Sequence, residues 1–216
     1  MCIRDSYYGV KKASEIVHVQ MNLPDFRLAV INNTVEPLTG VVLNAKVFSL
    51  DGHLITERRQ TLSAAPDAVT NGEKLDLAAA MSHGPVVVKL ELHDAAGKLL
   101  SDNAYWQAAK DADLNQLNAL AKDAIAVSAT SQRVGDEIKV AVELVNHGSA
   151  PALANKLTLE DSKGARILPA FYEDNYVTLM PGESRDIAVT YPASAAGGAR
   201  IALRGWNAVP STTTVR

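Results

Sequence analysis

From Ile16 onward, apolar and polar residues alternate with a period of two, as side chains on successive faces of a strand do. Val17, Val19 and Met21 alternate with Ile16, His18 and Gln20, which predicts a first strand. Further strand-like runs follow near Phe26–Asn32, Val41–Ser49, Leu54–Ser63, Lys74–Leu77, Val86–His93 and Lys98–Trp106. Turn formers separate them: Asn33–Gly40 with Pro37, Asp51-Gly52, Asn71-Gly72, His83-Gly84-Pro85 and Ala95–Gly97. Asp-Gly and Asn-Gly tolerate positive φ and so mark turns. Seven short strands in roughly ninety residues predict an immunoglobulin-like sandwich.

Lys110–Asp123 breaks the alternation. Asp111 and Asp113 are suited to a helix start, and Leu114, Leu117, Leu120 and Ala121 form one apolar stripe, so a short helix is expected. The period of two resumes at Ala124–Ser131 and continues through Glu137–Asn146, Leu153–Asp161, Arg166–Phe171, Tyr176–Met180, Ser184–Tyr191 and Arg200–Trp206. A second sandwich of about seven strands is predicted. Upstream, Val10, Ala13 and Val17 recur at helical spacing, so Tyr7–Ser14 reads as the tail of a helix. The first six residues, MCIRDS, back-translate to a transposon-end adapter used in sequencing libraries and are set aside as a processing scar. The expected division is 1–6 adapter, 7–15 helical tail, 16–107 first sandwich, 108–123 helical linker and 124–216 second sandwich.

Charge and composition narrow the functional classes. With 24 acidic and 21 basic residues and no basic run, nothing favours a nucleic-acid partner. The longest apolar stretches, such as Val86–Val88, are far shorter than a membrane span. Cys2 is the one cysteine and falls in the segment set aside, so no disulfide or thiolate site is expected. His18, His53, His83, His93 and His147 show no metal-ligand spacing, and three of them adjoin turn residues. No metal or cofactor is expected.

No catalytic residue is expected either. Glu160-Asp161 and Glu173-Asp174 are adjacent pairs; in a strand adjacent residues point to opposite faces, so such a pair cannot converge on one substrate atom, whereas glycosidic cleavage needs two facing carboxyls roughly 5–9 Å apart. No nucleophile elbow, phosphate loop or metalloprotease helix is present. Trp106 and Trp206 each end a sandwich and are expected to cap its core. F-Y-E-D-N-Y at Phe171–Tyr176 is the one aromatic and polar cluster. It reads as a structural corner or, with Tyr172, Asn175, Tyr176 and Trp206, as a carbohydrate contact.

Three stretches carry a resemblance. Y-Y-G-V-K-K-A-S-E-I-V-H-V-Q at Tyr7–Gln20 resembles the segment that leaves the catalytic barrel in family two glycoside hydrolases. S-D-N-A-Y-W at Ser101–Trp106 is similar to the last strand of the immunoglobulin-like domain that follows the barrel, in the exo-β-D-glucosaminidase and β-mannosidase branch. I-L-P-A-F-Y-E-D-N-Y-V-T-L-M-P-G-E-S-R at Ile167–Arg185, with G-W-N at Gly205–Asn207, resembles the closing sandwich of the same enzymes. Two positions depart from the pattern: Glu15-Ile16 stands where Glu-Pro is common, and Met180 where a Trp often sits.

The resemblance implies an all-β C-terminal region: two tandem immunoglobulin-like β-sandwiches joined by a short helix, with a short N-terminal helix left from a (β/α)8 barrel upstream. It implies a parent that releases a terminal β-linked glucosamine or mannose with retention, through two barrel glutamates that have no counterpart in this chain. The partners implied are the catalytic barrel of the same parent chain and the parent's carbohydrate substrate, and the location implied is periplasmic or secreted. Tyr8, Val10 and Ala13 would pack on the barrel. A free-standing carbohydrate-binding module is the alternative, and an adhesin-like immunoglobulin repeat for protein contacts a third; the two sandwiches do not visibly repeat each other in sequence.

Overall fold

A computed structural model describes residues 3–195 and 197–216; Met1 and Cys2, the first residues of the segment set aside as adapter, lie outside the described residues. The chain divides into two compact units, Met1–Ala119 and Leu120–Arg216, each a β-sandwich.

Unit 1 opens with α1 (Ile3–Ala13). The strands β1 (Val17–Asn22), β2 (Arg27–Asn32) and β5 (Ala68–Lys74) form one sheet in the order β1-β2-β5. The facing sheet has the order β4-β3-β6-β7, from β3 (Leu38–Ser49), β4 (Leu54–Ala64), β6 (Val86–His93) and β7 (Leu99–Gln107). In β3 the period of two is explicit: Val41, Leu43, Ala45 and Val47 are buried, while Val42, Asn44, Lys46 and Phe48 between them are half-buried. The buried set packs with Val19, Leu28, Val30, Leu75, Leu77, Val88, Leu90 and Leu92 into one core. Between β3 and β4, Gly52 adopts φ 86° and donates its N–H to Ser49 O, as the Asp-Gly pair predicts.

The expectation of a strand over Lys74–Leu77 is corrected: β5 lies one segment earlier, and Asn71-Gly72 falls inside it rather than in a turn. Gly72 is there for close approach, since a Cβ would come within 2.9 Å of Gln60 Nε2. Leu75 and Leu77 are core residues without a strand, and the chain passes at once into the single turn α2 (Ala78–Met81). The linker helix is a 3-10 helix over Asp111–Ala119. Leu114 and Leu117 are three apart and so share one side of a three-residue turn, with Leu117 buried.

Unit 2 contains β8 (Ile125–Val134), β9 (Glu137–Asn146), β10 (Ala152–Glu160), β11 (Phe171–Tyr172), β12 (Val177–Leu179), β13 (Ser184–Pro192), β14 (Arg200–Arg204) and β15 (Ser211–Thr214). Its sheets have the orders β11-β13-β9-β8 and β12-β10-β14-β15. The core holds Val140, Val142, Leu144, Leu157, Leu159, Ile187, Val189, Ile201 and Leu203. Setting β11 aside, the connectivity of unit 2 reproduces that of unit 1, with β8-β9-β13 in place of β1-β2-β5 and β12-β10-β14-β15 in place of β4-β3-β6-β7.

Two expectations for unit 2 are corrected. Of the run Arg166–Phe171 only Phe171 joins a strand, the two-residue β11, because Pro169 has no N–H to give a ladder. Trp206 does not end the last strand: the chain turns at Gly205 and returns as β15, whose Ser-Thr-Thr-Thr sequence carries no apolar alternation to read.

Candidate functional site

The three resembling stretches build two polar constellations, one in each unit. In unit 1, β7 runs beside β1 across the open edge of the sandwich, and the alternation of S-D-N-A-Y-W decides what each residue does. Ser101 Oγ accepts from Val19 N at 3.2 Å, Asn103 Nδ2 donates to Val19 O at 3.3 Å, and Tyr105 Oη accepts from Met21 N at 3.1 Å. These three inward side chains give β1 the partners a neighbouring strand would have given. Burial pushes the Tyr105 hydroxyl above its ordinary pKa, against the hydrogen bonds from Met21 and Asn103.

Asp102, pointing the other way, meets two ammonium groups: Lys12 Nζ at 2.7 Å and Lys89 Nζ at 3.9 Å. Lys12 stands in the last turn of α1 and also reaches Glu15 Oε1 at 2.8 Å. The other carboxylate oxygen of Glu15 accepts from Ser101 Oγ at 2.7 Å and lies 3.3 Å from Nδ1 of the buried His18. Burial alone would lower the Lys12 pKa and raise that of Glu15. The Asp102 and Glu15 carboxylates outweigh it for Lys12, which is raised, and hydrogen bonds from His18, Lys12 and Ser101 outweigh it for Glu15, which is lowered.

Above this foot α1 is open to solvent. Tyr7, Gly9, Val10, Lys11 and Ala13 are exposed, with Val10 at 66%, whereas Tyr8 and Lys12 are half-buried. Tyr7 and Tyr8 stack edge to face with centroids 5.1 Å apart, and Lys11 Nζ lies 5.8 Å from the centroid of the Tyr8 ring. Of the expected packing residues, Val10 and Ala13 are therefore bare and Tyr8 is partly covered by its neighbours. Nothing in the sequence links Lys12, Glu15, His18, Ser101 and Asp102 to one another, although Lys12, Glu15 and His18 lie in the Tyr7–Gln20 stretch. Ser101 and Asp102 lay within a quoted motif, yet nothing local said that a residue ninety positions away would meet them.

In unit 2 the F-Y-E-D-N-Y corner closes the free part of β10. Tyr172 Oη accepts from Leu159 N at 2.7 Å; Asn175 Oδ1 accepts from Leu157 N at 2.8 Å and its Nδ2 donates to Leu157 O at 3.1 Å. Asn175 is buried and spends both ends of its amide on that strand. Arg185 Nη2 holds Asp174 Oδ2 at 3.0 Å, and Lys156 Nζ lies 5.8 Å from the centroid of the Tyr176 ring. Trp206 sits at the other end of β10, its backbone N–H donating to Leu153 O at 2.9 Å and the residue about half exposed. Leu153 and Leu159 are six residues apart on β10, with the positive φ of Ala154 and a register shift between Ala152 and Asn155 at the Trp206 end. Tyr172 and Trp206 thus belong to opposite ends of the sheet, while Asn175 and Tyr176 lie between them. Among the described residues no group of three or more His, Cys, Asp or Glu could hold a metal ion, and no helix is long and apolar enough to cross a membrane.

Two sandwiches of one connectivity, each sealed by side chains that stand in for a strand, define a tandem immunoglobulin-like pair. Residues 25–111 match the family described as "Mannosidase Ig/CBM-like domain" and residues 103–208 the "Exo-beta-D-glucosaminidase Ig-fold domain". The chain carries the immunoglobulin-fold domains of the exo-β-D-glucosaminidase and mannosidase family. It is 30% identical to an exo-beta-D-glucosaminidase of Streptomyces avermitilis over 96% of its own length and 26% of that protein's. It is 29% identical to one of Amycolatopsis orientalis over 94% of its length and 22% of that protein's. The chain therefore spans about a quarter of the length of these relatives. The crystal structure of Amycolatopsis orientalis exo-chitosanase CsxA superposes with a TM-score of 0.90 at 28% identity, covering 97% of this chain and 27% of that one. A β-D-mannosidase from Dictyoglomus thermophilum, at 16% identity and a TM-score of 0.66 over 94% of this chain, shares the fold.

Proposed function

We propose that the two units are the non-catalytic, C-terminal support of a retaining exo-β-glycosidase whose catalytic (β/α)8 barrel precedes Tyr7, and which removes terminal β-linked glucosamine or mannose. The observation that carries this reading is α1: its foot is bound to unit 1 through Lys12, while Tyr7, Val10 and Ala13 are exposed to solvent. An eleven-residue helix gains little from its own hydrogen bonds in water, so a helix of this length is normally held by an apolar neighbour along its flank. Val10 and Ala13, with Tyr7, supply the side to which that neighbour, the preceding domain, would bind, whereas Tyr8, four residues from Lys12, lies on the side that Lys12 turns to the sandwich. The similarity to two exo-beta-D-glucosaminidases favours glucosamine over mannose as the sugar released.

The test is to recover the coding sequence upstream of codon 7 by long-read sequencing of the source DNA, and to express the whole protein beside a version cut at residue 7. The whole protein is expected to release glucosamine from chitosan oligomers, and the cut version to melt at a lower temperature and lose activity. An upstream sequence without a barrel, or a cut version with undiminished activity and melting temperature, would overturn the reading.

A further inference from the structure

We infer that Lys12, Glu15, Ser101 and Asp102 form a positioning clamp that fixes the direction in which α1 leaves unit 1. The clamp itself stands on geometry; that it positions a catalytic domain rests on the proposed function. Its parts come from three places in the chain: the last turn of α1 gives Lys12, the connector gives Glu15, and β7 gives Ser101 and Asp102. One ammonium joins the carboxylates of the other two elements, at 2.8 Å to Glu15 and 2.7 Å to Asp102. Ser101 closes the circuit, donating to Glu15 and accepting from Val19 N, so the connector and β1 are tied to one residue of β7 whose neighbour Asp102 holds Lys12.

The cluster fixes direction rather than merely adding attraction. Residues two apart on a helix point about 200° away from each other, so Lys12 facing β7 turns Val10 away from the sandwich. Anchoring Lys12 from both sides sets the rotation of the helix about its axis, and with it the side presented to the upstream chain. Asp102 is the pivot, because it lies between Lys12 and the nearly buried Lys89. Were it neutral, two ammonium groups would share a half-buried site with one carboxylate fewer, and α1 would lose the ion pair of Lys12 to β7.

Double electron–electron resonance on the full chain tests the clamp. Spin labels are placed at Val10→Cys on α1 and Thr61→Cys on the exposed edge strand β4, with Cys2→Ser to leave two labels. The parent chain and Lys12→Arg, which keeps the charge, are expected to give one narrow distance distribution. Asp102→Asn and Lys12→Met are expected to lose it and give a broad one. Slow amide exchange at Val88 and Leu90 in each variant shows that the sandwich is folded, and Lys12→Met, altering a helix outside the core, is the safeguard should Asp102→Asn fold poorly. A broad distribution in the parent chain, or a narrow one in both neutral variants, would overturn the clamp while leaving the accessory role to its own test.

Discussion

Asn32 and Asn146 perform the same task in the two sandwiches. Each ends the second strand of its unit and donates its amide to the carbonyl four residues on, Glu36 O at 2.9 Å and Ala150 O at 2.9 Å. Each also donates across the sandwich, to Ala64 O at 3.3 Å and Leu179 O at 3.0 Å, and accepts an N–H two residues on, from Thr34 and Gly148. A proline follows five positions after each asparagine, Pro37 and Pro151. The two turns are one device used twice, although the sequences around them share little else.

Replacing either asparagine strands buried carbonyls and an N–H at a strand end. Asn32→Ala and Asn146→Ala are each expected to destabilise their own unit by about 2–3 kcal/mol. Asn32→Asp is expected to cost more than Asn32→Ala, because a carboxylate would face carbonyl oxygens of Glu36, Ala64 and Ala65. Urea denaturation followed by tryptophan fluorescence checks this, with Trp106 reporting unit 1 and Trp206 unit 2.

The sandwiches were legible because their strands are half-buried and write that burial as a period of two, most plainly in β3 and β9. Val86–His93 and Glu137–Asn146 fall where the alternation places them. What escaped notice lacks that signature. β15 is Ser-Thr-Thr-Thr, with no apolar face, and Gly72 looks like a turn residue because its reason is a glutamine twelve positions earlier in the chain. The clamp escaped for the same reason: Lys12 and Asp102 are ordinary charges until the fold brings them together. The F-Y-E-D-N-Y cluster was visible, but composition alone could not say that Tyr172 and Asn175 face β10.

If the corner serves as a substitute strand, its polar atoms carry its value. Tyr172→Phe keeps the ring and leaves Leu159 N without its partner, for an expected loss of about 1 kcal/mol. Asn175→Leu keeps the volume but leaves both Leu157 N and Leu157 O unpaired, for an expected loss of about 2–4 kcal/mol. Faster amide exchange at Leu157 and Leu159, with Val140 and Val142 unchanged, is the accompanying sign. Equal exchange in both variants would remove the substitute-strand role.

Gly205 and Gly9 are expected to respond to alanine with opposite signs. A Cβ at Gly205 would stand 2.7 Å from Asn155 Oδ1 and 3.1 Å from the backbone oxygen of Leu153, so Gly205→Ala is expected to destabilise unit 2 by about 1–3 kcal/mol. A Cβ at Gly9 meets nothing within 4 Å, and the residue is in the interior of α1. Gly9→Ala is expected to strengthen the helix by about 1 kcal/mol. Thermal unfolding reads the first and helical circular dichroism the second.

The clamp also predicts how the hold on α1 depends on pH. Glu15 has its pKa lowered below the ordinary 4.5 in the folded chain, so its contribution is complete above that value and disappears as pH falls through the lower folded one. Lys12 has its pKa raised above the ordinary 10.5, so its contribution is complete below that value and disappears as pH rises through the higher folded one. Between those limits α1 should keep one orientation, and it should be released on the acid side as Glu15 takes up a proton and lets go of Ser101 and Lys12. Distance distributions between labels at Val10→Cys and Thr61→Cys, recorded from pH 7 downward, are expected to broaden below about pH 4.5 before the sandwich itself unfolds. Glu15→Gln should show the broad distribution already at neutral pH; if it stays narrow there, the carboxylate of Glu15 is not what holds the connector.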